Sequence, residues 1–128
     1  MYVVKEVVDT QGVKHKAYSY GELTVMNVLI ENGITFESEK TFPDLRGDKG
    51  RLRFDFYVHG ARRNFLIEVD GTQHRHQKRF TSKNLKRYDE MKNKYCEEKG
   101  IQLYRIMYCS GRTRDVRGYM KYVLKQEF

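Results

Sequence analysis

One stretch of the chain, residues 51–74 with the sequence RLRFDFYVHGARRNFLIEVDGTQH, constrains its fold more than any other. The first half alternates between apolar and polar residues, which is the period of a β-strand with two different faces. The apolar positions are Leu52, Phe54, Phe56 and Val58, and the polar ones are Arg53, Asp55 and Tyr57. A glycine-containing turn follows at 59–61, and residues 65–71 are again mostly apolar. The stretch therefore predicts two strands joined by a short turn.

These two strands carry three acidic side chains, Asp55 on the first and Glu68 and Asp70 on the second. Glu68 and Asp70 are two residues apart and leave the same face, and strand pairing would bring Asp55 close to Glu68. Acids are seldom embedded in apolar strands without a partner, and clustered carboxylates raise one another's pKa unless a cation neutralises them. Carboxylate oxygens suit Mg²⁺, with Mn²⁺ as a substitute. For Asp70 followed by Gly71, the opening of a turn is the alternative interpretation.

Composition narrows the class of partner. The 25 Lys and Arg residues against 17 Asp and Glu residues give a net charge of +8, which points to a polyanion, nucleic acid before an anionic membrane surface. No apolar run is long enough to span a bilayer, and DNA, not a membrane, is the predicted partner. Cys96 and Cys109 form no CxxC pattern, which indicates reduced thiols of a cytoplasmic protein. The His74-Arg75-His76 segment lacks the further ligands of a structural zinc site.

The remaining elements are predicted from turn, cap and periodicity signals along the chain. Residues 1–18 predict a hairpin extension, and Ser19-Tyr20-Gly21-Glu22 fits a capping box that opens a helix ended by Gly33. An extended segment over 34–42, ended by Pro43, leads to a polar loop at 44–50. A helix over 82–99, a strand over 101–108 and an amphipathic helix within 109–128 complete the chain.

This order predicts one α/β domain over residues 1–128. Three successive strands followed by a helical crossover give a mixed sheet flanked by helices. The core, residues 19–108, has the order αβββαβ. The N-terminal β-hairpin precedes this core and the C-terminal helix, residues 109–128, follows it.

The order of elements, with an acid on the second core strand and an ExD sequence on the third, resembles the PD-(D/E)xK nuclease superfamily. The local motifs are similar to those of very-short-patch-repair-type endonucleases and of related phage and mobile-element nucleases. These motifs are SYGE, FDF, IEVDGTQH and a helix ending in KG before the strand IQLYRI, and they span residues 19–107. The resemblance implies a restriction-endonuclease-like core and a Mg²⁺-dependent DNA endonuclease, a phosphodiester hydrolase.

The resemblance also implies roles for individual residues. Asp55 would be the metal-bridging aspartate, Glu68 the second acid, and the Val69 carbonyl a further metal ligand. Glu22 would match the helix acid that many such nucleases add to the metal site, although its place in a capping box also explains it. Asp89, on the next helix, would match a later acid of this branch.

One motif position departs from the superfamily. The third position, a lysine in typical members, is Asp70 here. The usual role of that lysine, orienting water or stabilising charge, is therefore left to another residue, and Gln73 and His74 are the nearest candidates. His74 can serve as a general base at neutral pH, and a phosphate contact or a surface position is the alternative.

Cations flank the predicted site on both sides. Those expected to contact DNA phosphates are Arg51, Arg53, Arg75, Lys78, Arg79 and Lys83. For the cations that follow the acids in sequence, an ordinary solvated helix face is the alternative.

A second hypothesis for the whole chain is a decayed nuclease fold that acts as a nucleic-acid-binding or protein-interaction module, because a fold alone confers no activity. One active centre would nick DNA, and a double-strand break would need a homodimer or two successive nicks.

Overall fold

The fold is known from a computed structural model that describes residues 2–71, 79–109 and 111–128, and of residues 79–84 the backbone alone. These residues form a two-stranded ribbon, a four-stranded mixed sheet and three helices. In chain order the elements are β1 (Lys5–Val8), β2 (Lys14–Ala17), α1 (Tyr20–Glu31), β3 (Phe36–Gly47), β4 (Gly50–Val58), β5 (Phe65–Gly71), α2 (Arg79–Lys99), β6 (Leu103–Tyr108) and α3 (Thr113–Glu127). The predicted α/β class and order of elements are confirmed.

The sheet has the strand order β3-β4-β5-β6, in which the first three strands are antiparallel and β6 is parallel to β5. Helix α2 makes the crossover between β5 and β6, because parallel neighbours cannot be joined by a tight turn. Adjacent residues of a strand point to opposite faces, and on β5 Ile67 packs in a cluster with α1 and α3, whereas Leu66 packs in a cluster with α2. The sheet is therefore covered by helices on both faces.

Helix α1 begins as its capping signal predicts. The Ser19 side chain accepts a hydrogen bond from the Glu22 N–H at 3.1 Å, and Gly33, with φ of 68°, follows the helix. The Glu22 carboxylate accepts from the Tyr18 N–H at 3.3 Å, which holds this side chain beside the start of the helix. None of the helices in the described ranges has the length and apolar character needed to cross a membrane.

The predicted loop at 44–50 is wrong. Strand β3 continues through Pro43 to Gly47, β4 begins at Gly50, and the Leu45 side chain, only 5% exposed, packs in the core. A proline is tolerated here because β3 is an edge strand whose pairing with β4 shifts register between Thr41 and Arg46. A turn of two residues, 48–49, thus replaces the predicted loop.

The N-terminal ribbon is fastened to the sheet through a buried histidine. His15 Nε2 lies 2.9 Å from Asp9 Oδ2, and its Nδ1 is hydrogen-bonded to Ser38 Oγ at 2.5 Å. The imidazole also stacks on Phe36, with ring centroids 4.1 Å apart. These contacts join β2 to β3, so the extension packs on the core domain.

Candidate active site

The candidate site lies where strands β4 and β5 separate. The two strands pair only from Phe56 to Val58 on β4 and from Phe65 to Ile67 on β5. Beyond this point side chains take over the hydrogen bonds. The Asp55 N–H donates to Glu68 Oε1 at 2.9 Å, and the Val69 N–H donates to Asp55 Oδ2 at 2.7 Å. The predicted approach of Asp55 to Glu68 is therefore confirmed.

Burial and mutual repulsion shape the electrostatics of these acids. Burial, with added repulsion from Glu68 and Glu22, raises the pKa of Asp55 well above its ordinary value. Burial also raises the pKa of Glu68, against the opposing effect of Lys92, and it raises the pKa of Glu22, to which Glu39 and Glu68 add. The three carboxylates thus share one region of negative potential, as the sequence suggested for Asp55 and Glu68.

A lysine that the sequence analysis did not single out approaches the acid pair from α2. Lys92 Nζ lies 3.0 Å from Glu68 Oε2 and 5.2 Å from the centroid of the Phe54 ring. The Lys92 and Glu68 side chains are only 12% and 8% exposed, so this is a largely buried ion pair. A signal for it exists in the sequence, because Lys92 lies four residues from both Tyr88 and Cys96 and so shares the inward face of the helix.

Arg105 brings a second cation to the site from β6, where it is the register partner of Glu68. Its Nη1 lies 3.5 Å from both Asp70 Oδ2 and Asp89 Oδ1 and 4.0 Å from Glu68 Oε2. Asn93 Oδ1 accepts hydrogen bonds from Nε at 3.1 Å and from Nη2 at 3.0 Å. This guanidinium therefore gathers Asp70 and Asp89 beside the Asp55–Glu68 pair.

The donor set can be compared with what a divalent cation needs. Within the described ranges, no three His, Cys, Asp or Glu side chains converge in a metal-binding cluster. Mg²⁺, however, usually takes only one or two protein carboxylates and completes its shell with water and phosphate oxygens. Burial and the neighbouring charge of Glu68 raise the pKa of Asp55, and a cation that offsets these effects fits the Asp55–Glu68 pair.

The other residues predicted for the site divide into two sets. Val69 is hydrogen-bonded through its N–H to Asp55, while Arg51 and Arg53 are exposed on β4, where Arg53 forms an ion pair with Glu39 at 2.9 Å. The other predicted site residues lie outside the described ranges, or belong to the start of α2, where the structure describes the backbone alone. They are Gln73, His74, Arg75, Lys78, Arg79 and Lys83.

We expect Mg²⁺ to stabilise the folded protein through this pair, because an ion that binds only the native state raises its free energy of unfolding. At about 100 times the dissociation constant, the gain is about 2.7 kcal/mol. The effect should weaken at acidic pH, because protons compete for Asp55 and Glu68, whose pKa values are raised. Thermal unfolding with Mg²⁺ or EDTA measures this gain.

The control for this prediction is a charge-matched pair of variants. Glu68→Gln should lose the Mg²⁺-dependent shift, whereas Glu98→Gln, at an exposed position of α2, should retain it. An equal shift in both variants would place the ion elsewhere.

Comparison with known proteins adds no relative to these observations. No protein-family model, curated protein or solved structure matches the chain. The resemblance to nucleases therefore depends on the four sequence motifs alone.

Proposed function

We propose that the chain is a metal-dependent endonuclease that hydrolyses phosphodiester bonds of DNA on a PD-(D/E)xK-type core. The observation that carries the proposal is the buried Asp55–Glu68 pair at the separation of β4 and β5, with Lys92 3.0 Å from Glu68. Burying like charges side by side opposes folding, and such perturbed acids are concentrated at functional sites. Asp55 and Glu68 are also the two residues that the motif resemblance assigns to metal binding.

Asp55 and Glu68 would hold Mg²⁺ or Mn²⁺, with the Val69 carbonyl as a further ligand and Glu22 as the nearby helix acid. A divalent cation supplies the charge that polarises a phosphate and lowers the pKa of an attacking water. Binding it would also relieve the repulsion that raises the pKa of Asp55.

In this proposal Lys92 supplies the positive charge that the family places at the position of Asp70. It comes from α2 instead of β5, and its ammonium lies beside Glu68. There it orients the carboxylate and stabilises negative charge that develops on the phosphate. Arg105 keeps Asp70 and Asp89 in place. His74, with Gln73 as the second candidate, stays the predicted general base.

DNA is the proposed substrate because the chain carries a net charge of +8 and exposes cations next to the acids. Arg51 and Arg53 precede Asp55 on β4 at alternate positions, which suits contacts with phosphates adjacent to the scissile one. With one active centre per chain, the product would be a nick, and a homodimer would be needed for concerted cleavage of both strands.

A decayed nuclease fold that only binds nucleic acid or protein is the second candidate. One observation favours it, namely that Lys92 and Arg105 already place positive charge beside Glu68. Protein cations that neutralise an acid pair permanently would make a metal ion unnecessary.

Cleavage of supercoiled plasmid in Mg²⁺, Mn²⁺ or EDTA decides between the two candidates. We expect nicked circles with either metal and none with EDTA. Mismatched, branched and single-stranded DNA and a matched RNA, tested in parallel, would define the substrate. If every substrate stays intact with every metal while DNA binding is salt-sensitive, the binding module is the correct function.

A further inference from the structure

Strands β3 and β4 continue together past the candidate site as a two-stranded arm. β4 pairs with β5 only from Phe56 onwards, but before Phe56 it is paired with β3 through Thr41–Arg53, Arg46–Arg51 and Gly47–Gly50. We call residues 41–53 the β3–β4 arm. Its buried leucines at 45 and 52 pack in the cluster that α2 lines, so one side of the arm is covered and the other is open.

The charges of the arm are separated between these two sides. Its acids are engaged by α2, because Asp44 accepts a hydrogen bond from the Tyr95 hydroxyl at 2.7 Å and Asp48 forms an ion pair with Arg87. The cations Arg46, Lys49 and Arg51 are exposed, and none of them forms an ion pair with a carboxylate of the described residues. The open side of the arm therefore presents positive charge, although one of the three cations, Lys49, also acts on the neighbouring Asp48, whose pKa is lowered by Arg87 and in part by Lys49.

Two of these cations oppose each other in the strand register. Arg46 and Arg51 are cross-strand partners, so their side chains leave the same face of the arm. Like charges at directly opposed positions destabilise a β-ribbon. An anion from outside the chain would remove this repulsion. The opposed arginines therefore indicate where a polyanionic partner would bind, whereas the net charge of +8 indicates only that such a partner is expected.

We propose that the β3–β4 arm clamps the backbone of double-stranded DNA beside the Asp55–Glu68 pair, through Arg46, Lys49 and Arg51. This deepens the proposed function, on which it rests for the choice of DNA. A two-stranded ribbon fits the width of a DNA groove. A single strand would call for exposed aromatic rings as a stacking platform, but Phe42, Tyr88 and Tyr95 at the arm pack against its buried cluster.

Binding of a short DNA duplex at several salt concentrations in EDTA tests the clamp without any cleavage. The test protein is the triple variant Arg46→Ala, Lys49→Ala, Arg51→Ala. The control removes the same charge from exposed positions of α3, outside the arm, as Arg114→Ala, Lys121→Ala, Lys125→Ala. If each arm cation contacts one phosphate, the slope of log K against log salt becomes shallower by about 2.7, and affinity falls on the order of 100-fold near 0.1 M salt. The control should bind almost as wild type does.

Three outcomes would overturn the clamp. The first is an arm variant with unchanged slope, and the second is a control that loses as much affinity as the arm variant, since net charge alone would then act. The third is that the arm variant loses as much affinity, or more, for a single-stranded oligonucleotide of the same sequence.

Thermal unfolding checks the fold of the arm variant, because removing opposed arginines should not lower the unfolding midpoint. A wild type that binds duplex through the arm but never cleaves would contradict only the nuclease proposal.

Discussion

Replacing Asp55 with asparagine is expected to slow DNA cleavage strongly and to stabilise the metal-free protein. Asn keeps the shape of the side chain and an oxygen that can accept the Val69 N–H, but it removes the charge that would hold a divalent cation. Losing several kcal/mol of charge stabilisation corresponds to a rate roughly 1000-fold lower. Burial and repulsion by Glu68 and Glu22 raise the Asp55 pKa, so removing its charge should increase the unfolding free energy.

The stabilisation should depend on pH in a definite direction. A carboxyl group whose pKa is raised in the folded state keeps its proton there after the unfolded chain has lost it. Stability of the wild type therefore falls as pH rises from the ordinary Asp value of 3.8 through the raised pKa, and this contribution is missing in Asp55→Asn. The two proteins should be closest in stability in acid and furthest apart above the raised pKa.

Urea unfolding at several pH values, beside plasmid cleavage, makes both measurements. Asp115→Asn on the exposed side of α3 is the matched control and should change neither cleavage nor the pH dependence by much. An Asp55→Asn protein that cleaves at the wild-type rate would remove Asp55 from the site. One that is less stable than wild type near neutral pH would contradict the electrostatic argument.

The strands that form the site could be predicted from local pattern because their side-chain period is short. Alternation at every second position identified β4 and its buried residues, and the turn after it fixed which strand would pair with it. Once those two strands are paired, the proximity of Asp55 and Glu68 follows from geometry. The capping box likewise identified the start of α1 and, with it, the position of Glu22.

The segment 44–50 was mispredicted because its local signals conflict with its tertiary position. Pro43, Gly47 and Gly50 all favour a break in regular structure. Pro43 is compatible with β3 only because that strand lies at the sheet edge and shifts register there. Edge position is a property of the whole sheet, and the local sequence does not encode it.

The two cations of the site were missed for a different reason. Lys92 and Arg105 reach Glu68 from elements more than 20 residues away, through the rotation of α2 and the parallel register of β5 and β6. Register of a parallel pair is not set by a connecting turn, so no short-range pattern specifies that Glu68 lies opposite Arg105. The only sequence signal for Lys92 is its position on the inward face of α2, between Tyr88 and Cys96.

Replacing Lys92 with methionine is expected to lower cleavage by roughly 100- to 1000-fold, the size of effect seen when one preorganised charge donor is removed. Methionine retains an unbranched apolar stem that can pack on Phe54 and removes only the ammonium group. Because Lys92 lowers the pKa of Glu68, its loss should raise that pKa further. The acidic limb of the cleavage–pH profile should therefore move to higher pH.

Lys94→Met is the matched control on the same helix, because the Lys94 side chain is 77% exposed and its ion pair with Glu98 is a weak surface contact. It should leave both the rate and the pH profile unchanged. Loss of a buried partner also destabilises the fold, by about 3–5 kcal/mol when the remaining charge stays uncompensated, so rates are compared well below both unfolding midpoints. A folded Lys92→Met protein with a lower midpoint but the wild-type rate and pH profile would make this lysine a purely structural partner of Glu68.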